Sequence, residues 1–370
     1  MVKETKDILD FYLIKEKKWS SSHVSMWFFF TLSYLKELFI LVNMKKKVAI
    51  IMGGYSSEYK ISLKSGNVVH EYLDKEKYDS YRVHILKDNW SYVDKENVEH
   101  PVNKDDFSVS LNGIKLKFDC VFNAIHGTPG EDGLMQAYFE LLDIPQTSCD
   151  YYQAALTFNK RDLLSVLKPY GIKAAASYYL NLGDKFNEKT IINTVGLPCF
   201  VKANKAGSSF GISKVHYIED LKKAIEVAYK EDDEIIIEGF LDGIEVSVGV
   251  IKYKGETKVL PITEIVSDND FFDYEAKYEG KSQEITPARI SSEQERNVIE
   301  VAKRAYDILK MKGYSRSEFI FIGNEPYMLE MNTTPGLTTE SILPKQAEHA
   351  GISLAELFGN AIEEILPKKS

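Results

Sequence analysis

The chain has 370 residues, 44% hydrophobic and 27% charged, enough for two or three domains around a cleft; a single small module, a collagen-like repeat and a wholly disordered chain are excluded. Subtracting 55 acidic from 46 basic residues leaves a formal net charge of −9, which repels a polyphosphate duplex and argues against nucleic acid, while a few clustered lysines can still hold a small anion. Cys120, Cys149 and Cys199 are odd in number, widely spaced and in no CxxC pair, so they read as buried thiols of a reducing, cytoplasmic compartment rather than as disulfides or a zinc site.

Residues 1–43 differ in texture from the rest of the chain. Their apolar run from Val24 to Leu35 is interrupted by Lys36 and Glu37, too short for stable membrane insertion. Lysines 15, 17 and 18 precede it without a small-residue cleavage site. This segment reads as an extension, disordered, peripheral or a start-site artefact, with Met44 as the working start. From Lys47 a short apolar run, VAIIM, meets Gly53-Gly54, and Ile61 to Leu73 reads as a helix. After a more polar stretch, 74–117, the pattern repeats: DCVFNAI (119–125), the loop HGTPGEDG, and a helix through Leu134, Tyr138, Leu141 and Leu142. Strand, glycine turn and helix in succession predict an α/β domain with a Rossmann-like parallel sheet over 44–148, its ligand loops at the carboxyl ends of the strands.

A central domain is expected over 149–237: a helix at 151–169, the strand PCFVKAN (198–204), the loop KAGSSFG, a second strand ISKVHYI, and a helix burying Leu221, Ala224, Ile225 and Ala228. The strand EIIIEGFL (234–241) leads into a last domain, 238–370, with EVSVGVIKY (245–253) and a polar-aromatic lid from Asp268 to Pro287. A helix opened by a capping box Ser292-x-x-Glu295 comes next, then the hairpin SEFIFI and YMLEMN around GNEP, and a helix ending at Leu366.

KAGSSFG is glycine-rich beside lysines, but Lys202 precedes it and a strand succeeds it, unlike a Walker A loop. It reads as a flap that turns backbone N–H groups, Ser208 and Ser209 toward phosphates, or as a plain hairpin tip. In the later hairpin Glu330 and Asn332 share a face, and a five-residue loop, 322–326, sets Glu318 opposite Glu330. Opposed carboxylates repel unless a cation intervenes, so these three oxygen donors read as a Mg²⁺ site or as a solvated face. Arg316 shares that face, as a structural cation or as a clamp on a developing negative charge.

Taken in order, these segments resemble the D-alanine–D-alanine ligase family of ATP-grasp enzymes. The resemblance rests on GGYSSE (53–58), HGTPGEDG (126–133), TFNK ending at Lys160, FVKANKAGSSFGISKV (200–215), IIEGFLDGIEVSV (236–248), DYEAKY (273–278) and EMNTTPGLTTESILP (330–344), and covers about 44–366. It implies a three-domain ATP-grasp architecture, ATP, two Mg²⁺ (or Mn²⁺) ions, two D-alanine molecules, a homodimer and a role in peptidoglycan synthesis. Lys160, Lys202 and the lid's Lys277 then hold ATP phosphates with Ser209, while Glu238, Phe240, Leu241 and Glu245 form the adenine and ribose site. Glu318, Glu330 and Asn332 bind metal. Arg316 is the oxyanion clamp, aided by the backbone near Gly336. Glu58, with Ser208 and Tyr278, takes the first D-alanine, Ser341 the carboxylate of the second, and His126 stands beside the pocket or caps its own loop. Three positions depart from the family: Lys60 for a usual glutamate, Gly239 for a common lysine, and Glu318 for aspartate, which adds about 1 Å of reach. The alternatives are a relative using D-lactate or D-serine second, against whose ester-forming members Tyr278 argues, and a nucleotide-binding regulator without turnover.

Overall fold

In a computed structural model, the described residues are 45–207, 211–267 and 282–366. The chain divides after Lys45, and every element below belongs to Lys46–Ser370. The extension expected over 1–43 lies outside the described residues.

The first sheet runs β1 (Lys46–Gly53), then, after helix α1 (Tyr59–Tyr72), β2 (Tyr78–Ile85), β3 (Trp90–Val93), β4 (Glu99–Asn103), β5 (Ser108–Leu111), β6 (Ile114–Leu116) and β7 (Cys120–Asn123), in spatial order β6-β5-β4-β3-β2-β1-β7. Only β2, β1 and β7 are parallel. The stretch 74–117, expected to be merely polar, holds five strands, of which β3–β6 extend the sheet antiparallel. The sheet is therefore mixed where a parallel one was expected. Its outer strands are short and partly exposed, so they lack the continuous apolar run that marks a parallel strand. The local mark of these strands is Asn112-Gly113 between β5 and β6: both residues have positive φ, 51° and 79°, the backbone of a two-residue hairpin turn.

β1 is buried on both faces. Ala49 and Ile51 pack with Met135 and Phe139 of α2 (Leu134–Leu141), whereas Val48, Ile50 and Met52 join a cluster with Leu357, Phe358 and Ile362 near the carboxyl end. The residues expected to mark α2 include Leu134 and Leu141, which are exposed; its buried face is Met135, Gln136 and Phe139.

The expected helix at 151–169 is broken. α3 (Tyr151–Phe158) stops, and Asn159 caps α4 (Lys160–Leu167) by accepting from the Asp162 N–H. β8 (Ser177–Asn181), α5 (Glu188–Val195), β9 (Cys199–Ala203), β10 (Ser213–Val215), α6 (Leu221–Ala228) and β11 (Glu234–Gly239) come next, and the strands form an antiparallel sheet β10-β9-β11-β8. α6 buries the four residues expected. The segment ISKVHYI contributes only Ser213–Val215 as strand, because a 3₁₀ turn at Ile218–Asp220 takes its end.

The third sheet comprises β12 (Ile244–Tyr253), β13 (Glu256–Val259), β14 (Thr263–Ser267), β15 (Ser282–Ile285), β16 (Tyr314–Ile322) and β17 (Glu325–Asn332), in order β15-β14-β12-β16-β17 with β13 paired to β12. The tail of the expected lid is thus strand β15, and the lid residues before Ser282 lie outside the described residues. α7 (Ser292–Ile308) is opened by a capping box of Ser291 and Gln294, one residue before the pair expected. α8 (Ile342–His349) and α9 (Leu354–Ile365) close the chain. The β16–β17 hairpin also turns differently: Ile322 pairs with Glu325 around Gly323-Asn324, and a bulge at Leu329 restores Glu318 opposite Glu330. The opposition was expected, but the extra residue sits in the strand rather than in a five-residue loop.

Phe139, 1% exposed and edge-on to Phe107, carries the contact of α2 with the first sheet. Phe139→Ala should lower unfolding stability by about 3–5 kcal/mol, and Leu141→Ala by less than about 0.5 kcal/mol, as read by denaturant unfolding.

Candidate functional site

Cross-strand pairing builds the centre of the site. Ser247, Glu318 and Glu330 stand abreast on β12, β16 and β17, and Gly249, Arg316 and Asn332 form the next row on the same face. The opposed carboxylates are compensated by cations of the chain itself. Arg316 Nε donates to Glu318 Oε1 at 2.7 Å, Lys160 Nζ lies 3.1 Å from Glu330 Oε2, and Asn332 Nδ2 donates to Glu330 Oε1 at 3.4 Å. Ser247 Oγ donates to Glu318 Oε1 at 3.3 Å.

Lys160 is the first residue of α4, placed there by the break at Asn159, and its ammonium also donates to the Ala206 carbonyl at 2.9 Å. It therefore ties the glycine loop to the acidic hairpin. Lys202 of β9 lies 2.9 Å from Glu238 of β11. Burial alone would depress its pKa, but Glu238, then Glu330 and Glu245, hold it above the ordinary value. Glu238 is 3% exposed, and its Oε1 has no hydrogen-bond partner among the described residues; a buried acceptor so placed fits a ligand donor. Phe240 beside it carries the Lys214 ammonium 4.4 Å from its ring centre and packs on Phe200. Leu241, next in the chain, is half-buried. Sequence reasoning misses Lys214, because a lone lysine in a short strand has no signature.

A cavity of about 310 Å³ lies between these groups and the first sheet, its wall including Glu58, His126, Lys160, Arg316, Asn332 and Ser341. Lys202, Glu238 and Glu318 stand outside that wall. The Glu58 carboxylate is pressed against two glycines: a Cβ on Gly207 would lie 2.6 Å from its Oε2, and one on Gly127 3.4 Å. Ser208, Ser209, Lys277 and Tyr278 lie outside the described residues.

Both ring nitrogens of His126 are engaged by the protein, Nδ1 2.8 Å from the Thr334 carbonyl and Nε2 2.9 Å from Ser65 Oγ. A carbonyl only accepts, so Nδ1 carries the proton. Burial lowers the ring's pKa and keeps it neutral, so Nε2 accepts from Ser65, whose oxygen in turn accepts from the Leu337 N–H at 3.2 Å. Glu131, quoted within HGTPGEDG but given no role from sequence, accepts from the Gly127 and Thr334 N–H groups at 2.7 and 3.1 Å. Three side chains beside the first sheet thus grip the loop 333–337, which leads to Gly336 and Ser341. Ser341 Oγ accepts from the Thr338 N–H and lies 2.8 Å from the Thr338 hydroxyl.

Two hard carboxylates and an amide on one face of the β16–β17 hairpin, beside a lysine, suit a divalent cation that also takes oxygens from a bound phosphate. No group of three or more His, Cys, Asp or Glu side chains poised for a metal occurs among the described residues, so phosphate oxygens or water would have to complete the shell. No helix among the described residues is long and apolar enough to cross a membrane.

Residues 47–149 match the family model described as D-ala D-ala ligase N-terminus, and 166–363 that described as D-ala D-ala ligase C-terminus. A D-alanine–D-alanine ligase from Flavobacterium johnsoniae is 75% identical over 86% of this chain and 98% of its own. Among solved structures, the VanG D-Ala:D-Ser ligase of Enterococcus faecalis superposes with a TM-score of 0.75 at 32% identity, over 86% of this chain and 99% of that one. The D-alanine–D-alanine ligase of Bacillus anthracis, complexed with ATP, gives 0.69 at 27% over 86% and 96%.

Burial, reinforced by the negative charge of Glu58, pushes the Glu131 carboxyl up to about 8, against the pull of its two N–H donors. A carboxyl raised on folding is charged less readily in the native state, so it costs stability progressively as pH rises from the unfolded value of 4.5 toward 8. The melting temperature of Glu131→Gln relative to the natural chain should therefore rise between pH 5 and pH 8, a difference that thermal unfolding across that range measures.

Proposed function

This chain belongs to the D-alanine–D-alanine ligase family, and from that we propose that it joins two D-alanine molecules into a dipeptide for peptidoglycan while ATP is cleaved to ADP and phosphate. One observation carries the reading: Glu330, opposed by Glu318 across a hairpin, lines with Arg316 and Lys160 a cavity whose wall also includes Glu58 and Ser341.

A carboxylate does not condense with an amine at neutral pH. An oxygen of the first amino acid's carboxylate attacks the terminal phosphorus of ATP and ADP leaves; the second amino acid's ammonium gives up one proton, the resulting amine attacks the acyl carbon, and the nitrogen loses a second proton as phosphate leaves. Catalysis is chiefly positioning and charge neutralisation. Lys160 and Lys202, with Lys277 and Ser209, hold phosphate oxygens. Glu238, Phe240, Leu241 and Glu245 receive adenine and ribose. Glu318, Glu330 and Asn332 would hold two Mg²⁺ ions, or Mn²⁺, whose charge would neutralise that of the phosphates. Glu58 binds the first ammonium with Ser208 and Tyr278 as partners, and Ser341 takes the second carboxylate. Arg316 and the backbone at Gly336 stabilise the oxyanion. His126 positions the loop 333–337. Three lobes, 44–148, 149–237 and 238–370, surround the site in a cytoplasmic homodimer.

The likeness to a D-Ala:D-Ser ligase raises a second substrate other than D-alanine; the much higher identity to a D-alanine–D-alanine ligase favours D-alanine. A regulator without turnover is disfavoured because Lys160, Lys202, Arg316, Glu330 and Asn332 all persist.

The purified protein with ATP, Mg²⁺ and D-alanine should release phosphate and form dipeptide, with little turnover when L-alanine or D-lactate is the second substrate. Phosphate release equal to the blank without amino acid overturns the reading. Arg316→Ala should lower kcat by on the order of 10²–10³ in the same assay.

A further inference from the structure

Glu284 is a carboxylate of the cavity wall that the reaction scheme leaves without a task. It stands on β15 opposite Ile265, which is opposite Glu245 on β12, which is opposite Ile320 on β16. Directly opposed residues of antiparallel strands share a face. Ile320 lies two residues from Glu318, so Glu284 is on the same face as Glu318 and Arg316. Its ion pair with Lys345 of α8 is long, at 3.8 Å. Lys345 lies 3.3 Å from Glu340 as well, so its charge is divided between two acids. Burial pushes the Glu284 carboxyl above its ordinary pKa against the pull of Lys345 and Arg316, as expected of an acid that lacks a full complement of donors.

The second amino acid enters as a zwitterion, and its ammonium needs an anionic partner in the same cavity. The carboxylates of the wall among the described residues are Glu58, Glu131, Glu284, Glu330 and Glu340. Glu58 is assigned to the first ammonium. Glu131 accepts two backbone N–H groups. Glu330 is paired with Lys160 and assigned to metal. The Glu340 side chain is 84% exposed and paired with Lys345, where water screens its charge. Glu284 remains, one turn of α8 from Ser341 by way of Lys345. Resting on the functional reading above, we infer that Glu284 receives and orients the ammonium of the second amino acid, with Lys345 as the residue that positions it. A carboxylate at that place favours an incoming amine over a hydroxy acid of the same shape, because the hydroxyl offers one neutral donor where the ammonium offers three charged ones.

Steady-state kinetics on Glu284→Gln, Glu284→Asp and Lys345→Met, with the two D-alanine Michaelis constants resolved, test the assignment. Glu284→Gln should raise the second constant roughly ten- to a hundredfold, as loss of a charge-assisted hydrogen bond does, with the first constant and that for ATP within about twofold. The preference for D-alanine over D-lactate as second substrate should fall in proportion. Glu284→Asp should restore part of the loss, and Lys345→Met should raise the same constant by less. Equal change in both constants, or an unchanged second constant in Glu284→Gln, overturns the proposal; if that variant does not fold, an unchanged second constant in Lys345→Met does so. Failure of the natural chain to make dipeptide would instead overturn the functional reading, and Glu284 with it.

Discussion

Two carboxylates set face to face across a β-hairpin are the constraint around which the site is arranged. Like charges directly opposed destabilise a sheet, and burying them raises the cost. The chain answers with cations drawn from separate elements: Arg316 from the same strand as Glu318, and Lys160 from the start of a helix whose position depends on the capping residue Asn159. Lys202 is close enough to feel Glu330 but is held by Glu238 on its own sheet. A polar cluster assembled from three sequence-distant segments is self-consistent only when every segment is in place. This is why the bulge at Leu329 matters: without it Glu330 would move to the other face of the sheet, and Lys160 would lose the carboxylate it pairs with.

The second constraint is the placement of the loop 333–337, which joins the acidic hairpin to Ser341. Its backbone is taken at three points by groups from outside its own sheet: Glu131 at the Thr334 N–H, His126 at the Thr334 carbonyl, and Ser65 at the Leu337 N–H. Those three residues belong to loops and a helix fixed by β1, which is packed on both faces and shares its core with α9. Packing of the first sheet thereby bears on the geometry at Gly336, where a displacement of an ångström would count in catalysis.

Much of this is legible in the sequence where one residue type has one physical use. Arg316, Glu318, Glu330 and Asn332 follow from strand alternation and Lys202 from its place before a glycine loop, whereas Lys160 follows only from the resemblance of TFNK to the family. Legibility fails where tertiary context decides. The outer strands β3–β6 hide in a polar stretch because only one of their faces meets apolar packing, and the Asn112-Gly113 turn is the single local mark that announces them. A five-residue hairpin loop and a two-residue loop with a bulge satisfy the same spacing of Glu318 and Glu330, and a bulge has no signature in composition. Glu131 and Glu284 carry no spacing that separates them from solvated glutamates; their surroundings come from strands and loops far off in the chain.

The three departures from the family pattern can be weighed physically. Any side chain at Gly239 would place its Cβ 2.5 Å from the Val195 carbonyl oxygen, so the absence of a lysine there follows from how closely β11 approaches the end of α5. Lys60 is exposed, its ammonium 5.9 Å from the Tyr59 ring centre, so the reversed charge is spread into solvent rather than brought to bear on Glu58. Glu318 has one methylene more than aspartate and is held by both Arg316 and Ser247 on the same oxygen. It reaches the guanidinium from a regular β12–β16 pairing, and the bulge in β17 keeps it opposite Glu330.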